Sequence, residues 1–551
     1  MTSSERRSGG VLCAVMPIDC AHDVGERGPA PAQAPSDGAP GGVELNGERG
    51  LFMGPLFTVL SAVGFTIASV NGAWRGQLLS ALADLGGLRF EAPGAQLPSA
   101  LASRFMTSSA RAFGLGTTAA LVVASMVGTG VFTTTGFLVR DIGNGPAVLW
   151  GWALGGVAAL SGALCFGELT AALPENGGEY ALLRRIYHPA LGFVAAFVSL
   201  VVGFAAPVAA SALAFGHYAV RAWPWLGASG LGHYLPALLP PELVLGLLLL
   251  LSSAVLHSMR VSRGTVGQNL ATLLKLALIL ILLVAGALSV RGGFLAQPGA
   301  RDLKQALLSP QMAVGLVFIS YSYQGWNAAA YVAGETRQPG RTLPRALLLG
   351  TLLVTLLYVA LNALFLDAAP RELLSGKVEV AEIAATHLWG PSAGRYVAGL
   401  VALGLWSAVG ALTMTGPRIY EAVGSHYPRL RWLSVRRPGG GPIAATALQT
   451  SLAVVFAISS SFDALLEWAG LTLSILAAVT AAGVFVLRWR EPGLERPYRA
   501  WGYPLTPVLF LALSSWMIVY GAVGQPLTAL AAGVTLALGL LAWFAVRERE
   551  V

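Results

Sequence analysis

From Leu115 to the C-terminus the chain is a succession of apolar runs, each about the length needed to cross a hydrocarbon layer as a helix. Crossing takes about 20 mostly apolar residues. With a boundary uncertainty of about 2–4 residues, the runs fall at 114–138, 147–173, 189–219, 242–258, 268–290, 311–334, 344–366, 394–424, 442–460, 464–488, 503–523 and 526–546. Charged residues make up only 11% of the 551 residues, against about 25% in soluble globular proteins. Short alternating strands, which a membrane barrel needs, are absent from the pattern. The expected class is therefore an all-α membrane protein of twelve transmembrane helices surrounded by lipid.

Net charge +8 invites a nucleic-acid reading, but the basic residues sit in short loops between spans. Loops 174–188, 258–267, 335–343, 425–441 and 488–502 hold fourteen Lys and Arg, and the opposite loops hold seven. That bias expects the first set on the cytoplasmic side, with both ends of the twelve-span core there too. The expected location is a bacterial-type inner membrane. Cys13, Cys20 and Cys165 show no metal-ligand spacing, and no cofactor or metal is expected.

Residues 1–105 differ in kind. They are rich in Gly, Pro, Ala and Ser, and 21–50 reads as disordered. Two readings of this extension stay open: an extra span over 51–69, or a chain whose translation starts at Met106. The expected permeation unit is 106–551. Spans one to five (114–290) and six to ten (311–488) form blocks of nearly equal length, followed by spans eleven and twelve (503–546). Five spans is an odd number, so the two blocks would lie in opposite orientations, an inverted repeat.

Two spans carry signs of a break in mid-membrane. In span one, ASMVGTGVF places Gly128, Thr129 and Gly130 in a row after Met126. Unwinding there exposes the amide N–H groups that begin the next half-helix, and with the helix dipole these favour a carboxylate. The competing reading is close helix packing through small residues. In span six, ISYSYQGWNAAAYVAGE crowds Ser320, Ser322, Gln324, Gly325 and Asn327 into an apolar segment. A break would free the carbonyls of Ser320, Tyr321 and Ser322, acceptors suited to an ammonium; the alternative is a polar helix–helix seam. The breaks fall at corresponding positions of the two blocks, and a site with donors on one side and acceptors on the other fits an α-amino acid zwitterion. Lys275, about 10 Å deep in span five, must snorkel, pair or act.

At these residues the sequence resembles the amino acid–polyamine–organocation (APC) superfamily, and specifically its L-type amino-acid transporter-like permeases. The most specific matches are VGTGVF (127–132), FGELTAALPENGGEYALLRR (166–185) and YQGWNAAAYVAGETRQPGRTLPRAL (323–347), supported by Lys275, PRIYEA (417–422) and LRWREPGLERPYRAWGYPLTP (487–507). The resemblance covers residues 110–546. It implies the leucine-transporter-type fold, a 5+5 inverted repeat with broken helices one and six plus two additional helices. It also implies that amides around Thr129 and Gly130 hold the substrate carboxylate, with Met126 and Gly128 beside them. Carbonyls at Ser320, Tyr321 and Ser322 would hold the ammonium, with Tyr321 as a gating aromatic. A lysine at position 275 implies a sodium-independent carrier, its ammonium standing where others bind a structural cation. Relatives often carry Phe at 321 and an acid or Gly at 324, so Gln324 leaves the substrate's side chain unassigned.

The implied activity is secondary active transport of amino acids by alternating access, as exchange or proton symport, with a polyamine or other organic-cation carrier as the alternative. Glu168, Glu179 and Glu335 with Arg184, Arg337, Arg341 and Arg418 read either as an inner gate of ion pairs or as ordinary interfacial charge. Trp326 is expected in packing; for Trp406 and Ser407, core packing is weighed against lining the pocket. An intramembrane enzyme would need an HExxH, a Ser–His dyad or paired aspartates at membrane depth, and none appears.

Overall fold

The computed structural model describes residues 113–227, 239–259, 264–289, 293–295, 302–436 and 441–547, without the side chains of 259 and 264–272. The extension 1–105, its candidate span 51–69 and the alternative start at Met106 lie outside these residues.

Prolines and short polar caps punctuate the described helices. α1 (Leu115–Met126) and α2 (Gly130–Ile142) are two halves of one span, bent by 41°. α3 (Gly145–Ala172) starts where the Asn144 side chain accepts from the Ala147 amide at 2.8 Å, with a proline in the first turn. A short amphipathic α4 (Glu179–Ile186) leads into α5 (Pro189–Ala222), which relaxes to π-helix over Ser199–Ala205. Then come α6 (Pro241–Met259), α7 (Gly264–Ala287) and α8 (Pro310–Tyr323), the last capped by Ser309. A turn at 324–327 and a 3-10 segment, Ala328–Glu335, interrupt span six before α9 (Pro339–Ala368). The series closes with α10 (Val380–Trp389), α11 (Pro391–His426), α12 (Ile443–Ser459), α13 (Phe462–Arg490), α14 (Leu505–Gly524) and α15 (Pro526–Val546).

Among the described residues there is no strand, only the isolated bridges Phe113–Thr336 and Arg436–Pro442. Among the described residues, eight helices suffice by length and composition to cross a membrane, and the bent pair α1–α2 makes a ninth. The remaining expected spans coincide with α7, with α8 plus the 3-10 segment, and with α12. Of these, α7 has 24 residues, α8 is interrupted after Tyr323 and α12 has 17 residues.

α2 packs on α8, α3 along α9, α5 along α11 and α6 against α12. Each pair joins an element of 114–290 to one of 311–488. Close approach depends on small residues: a Cβ at Gly156 of α3 would stand 2.2 Å from a methyl of Thr355 in α9.

Candidate functional site: two facing helix breaks

The first break occupies Val127–Thr129, between the last turn of α1 and the first of α2. Four helices hold it. From α9, the Tyr358 hydroxyl donates to the Met126 carbonyl at 2.5 Å and accepts from the Gly128 amide. From α7, the Lys275 ammonium donates to the Val127 carbonyl at 3.1 Å. From α5, Ser211 shares a 2.6 Å hydrogen bond with the Thr129 hydroxyl. From α8, Ser322 meets Thr134 at 2.8 Å, while Thr135 of α2 donates to Asn362 of α9. Two carbonyls at the break, those of Met126 and Val127, thus find side-chain donors, as unwinding in an apolar medium requires.

Lys275 is only 4% exposed, and its stem passes alongside Gly404 of α11. Of the three fates open to a lysine at this depth, the structure displays pairing, inward, on the break itself.

The second break starts after Tyr323. Gln324 is extended and its amide donates to the Tyr321 carbonyl at 3.0 Å; Gly325 follows at φ +100°, a conformation glycine adopts readily. The two breaks touch. A Cβ at Gly130 would lie 2.5 Å from Ser322 Cα, and one at Gly325 would lie 2.7 Å from the Ser125 carbonyl. Ser125 faces Gly325 while Gly130 faces Ser322, so the segments run antiparallel. The N-terminal end of half-helix α2 therefore abuts the C-terminal end of half-helix α8. Amide donors of one and carbonyl acceptors of the other share one locus, with dipoles that favour an anion and a cation respectively.

Tyr321 is buried, with its hydroxyl in hydrogen-bonding reach of Thr129. Ser320 and Gln324 line a separate small cavity between α3, α8, α13 and α14, together with Leu154, Ser474 and Phe510. The Ser320 hydroxyl meets Ser474 there at 3.1 Å. The structure thus gathers Met126, Gly128, Thr129, Gly130, Lys275, Tyr321 and Ser322, and turns the Ser320 side chain to the other face of α8. Sequence reasoning did not single out Ser211, Tyr358 or Asn362. Their one signal was a hydroxyl or amide in mid-span, which many packing residues also give.

A model of the amino acid permease family matches residues 113–544. The chain belongs to that family. It is 27% identical over 402 residues to the serine/threonine exchanger SteT of Bacillus subtilis (72% of this chain, 88% of the relative). It is 26% identical over 434 residues to the mouse b(0,+)-type amino acid transporter 1 (76% and 84%). With the human large neutral amino acids transporter small subunit 2 it shares 27% identity over 439 residues (78% of each). Family and relatives are amino acid transporters, not enzymes, so this permease is an integral membrane carrier of amino acids.

The three acidic residues singled out in the sequence have the following partners. Glu168, 1% exposed, takes Arg488 through two 2.8 Å bonds, lies 3.7 Å from Arg496, and accepts from the Ala500 amide at 2.7 Å. This joins α3 to the segment after α13. Glu335 accepts from Asn176 at 3.2 Å, and Glu179 accepts from Asn327. Outside the spans, Glu379 is buried beside His217 and Arg221. Burial alone would raise its carboxyl, but the His217 hydrogen bond and the two nearby basic groups pull it down to about 2. Trp326 packs edge-on against Phe166 and Phe510, as expected. Trp406 is 50% exposed on α11, at odds with core packing.

Proposed function

We propose that this permease exchanges amino acids across the membrane without sodium. In this reading the first-turn amides of α2, at Thr129 and Gly130, bind the substrate carboxylate. The carbonyl end of α8, at Ser320, Tyr321 and Ser322, binds the ammonium. The observation that carries it is the antiparallel contact of the two breaks, Gly130 on Ser322 and Gly325 on Ser125. That contact puts a positive and a negative helix end within one small molecule's length of each other. Met126 and Gly128 then act through their backbone, held by Tyr358.

Lys275 supports the sodium-independent part. A fixed ammonium on the Val127 carbonyl occupies a place a bound cation would need and repels one by charge. Tyr321, beside Thr129, is the gating aromatic in this scheme, and Glu335 serves the cytoplasmic closure through Asn176. The charge bias of the loops supports cytoplasmic ends for a core of twelve crossings. The length-matched blocks and the packing between them support an inverted repeat over 114–290 and 311–488, with 106–551 as the permease domain.

Competition for uptake tests the zwitterion assignment. Unmodified amino acids should compete, whereas their methyl esters and N-acetyl derivatives should lose at least about tenfold, the loss of one charge-assisted hydrogen bond or more. Equal competition by either derivative would reject the paired-terminus site.

A further inference from the structure

At the cytoplasmic end of span six lies a clasp that the substrate site does not account for. The loop before α4 grips the 3-10 segment Ala328–Glu335 at successive points. The Gly177 amide donates to the Tyr331 carbonyl at 3.3 Å, Asn176 accepts from the Gly334 amide at 2.9 Å, and its amide group donates to Glu335. Gly178, at φ +59°, lies so close to the Tyr331 ring that a Cβ would stand 2.6 Å from it. Phe113, just ahead of α1, is tied to the same segment through the Glu335 carbonyl and the Arg337 amide. While these contacts hold, the approach to α1 and the segment beyond the second break are fastened together.

Glu179 stands in the middle of this clasp. It is 4% exposed, and one carboxyl oxygen accepts from Asn327. Tyr331 reaches its carboxyl from the 3-10 segment; behind Tyr331 stand Ser199 of α5 and Tyr420 of α11. On α4 itself, Tyr180 and Arg184 engage each other, and Tyr180 also reaches His426 of α11. Among the described residues no basic side chain pairs with Glu179, unlike Glu168, which has Arg488. A buried carboxylate with no cation is costly, whereas a carboxylic acid there is not, and the acid can donate where the carboxylate cannot. Burial pushes the Glu179 carboxyl up from its ordinary range, outweighing the hydrogen bonds from Tyr331, its own backbone amide and Asn327 that favour the carboxylate.

The geometry points to Glu179 as a positioning residue of the cytoplasmic gate: protonated, it holds the segment after the second break shut, and its deprotonation to cytoplasmic water frees that segment. On opening, the carboxyl O–H breaks, water takes the proton, and the carboxylate becomes hydrated. The closed clasp binds the proton more tightly than the open one, so closure is favoured as pH falls and weakens as pH rises through the raised carboxyl range. Each pH unit within that window shifts the closed-to-open ratio by up to about tenfold. Cytoplasmic pH, and not external pH, is the controlling variable.

This rests on the reading of the chain as an alternating-access carrier. Exchange of labelled amino acid by oriented proteoliposomes, with pH varied separately on each side between about 5.5 and about 8, separates the two. No exchange by the wild type at any pH would reject the carrier reading itself. With exchange present, the wild type should slow several-fold as cytoplasmic-side pH falls and respond little to the other side. E179Q, a permanent stand-in for the protonated acid, should be slow and flat across the range, while E179D should restore the pH response. Wild-type exchange indifferent to cytoplasmic pH, or E179Q keeping the wild-type profile, would overturn the assignment. A merely structural role would lower the rate of E179Q without flattening its profile.

Discussion

Replacing Gly130 with alanine adds one methyl group at the point where the two breaks meet. That Cβ would fall 2.3 Å from the Ser322 hydroxyl oxygen, 2.5 Å from its Cα and 2.6 Å from its Cβ. Ordinary carbon contacts lie at about 3.5–4.0 Å, so α2 and α8 must separate by about 1 Å. Rotating the hydroxyl away gives no relief, because Ser322 Cα is backbone. The same hydroxyl is also committed to Thr134 and to the Phe318 carbonyl at 3.0 Å. Overpacking of this kind costs about 1–3 kcal/mol, equivalent to between about fivefold and about a hundredfold in a binding or rate constant. Here the displacement moves the donors away from the acceptors of one site, so G130A should lose transport at the upper end of that range. Gly128 supplies the internal control: a Cβ there meets nothing closer than the Met126 carbonyl at 3.8 Å. Initial uptake per reconstituted molecule, with membrane insertion and monodispersity checked for each variant, reads the difference. If G130A transports at the wild-type rate, or G128A loses as much as G130A, the reasoning from facing breaks is wrong.

Two more substitutions probe the groups that hold the break. Tyr358→Phe removes the hydrogen bond to the Met126 carbonyl and the acceptor for the Gly128 amide, and should cost about 0.5–1.5 kcal/mol per bond lost. A lowered melting temperature with reduced uptake is the expected outcome; an unchanged protein on both counts contradicts the assigned role. Lys275→Met keeps the apolar stem against Gly404 but leaves the Val127 carbonyl without its donor, at about 1–3 kcal/mol. It should lower stability and abolish sodium-independent uptake, and full uptake by this variant would show that the ammonium is dispensable.

The breaks were legible in the sequence because each needed an unusual local composition. Glycines flanking Thr129, and a cluster of Ser, Gln, Gly and Asn in span six, have few uses at membrane depth. Lys275 was legible as an anomaly but not in its direction, since a flexible stem at that depth reaches either the interface or the break. Pairing between distant residues was not legible. Glu168 and Arg488 lie 320 positions apart, and nothing local distinguishes Arg488 from Arg184 or Arg341 as a partner. Tyr358 and Ser211 read as ordinary mid-span residues until the fold brings them to Met126 and Thr129. The turn of Ser320 away from the break depends on the rotation of α8 about its axis, which the run ISYSYQG leaves undetermined.

Exchange by purified protein in sodium-free proteoliposomes tests the central claim most directly. Vesicles preloaded with unlabelled amino acid should accumulate the labelled form transiently, and empty vesicles should not. Uptake that requires sodium, or no acceleration by internal amino acid, would contradict a carrier whose first break is braced by Lys275.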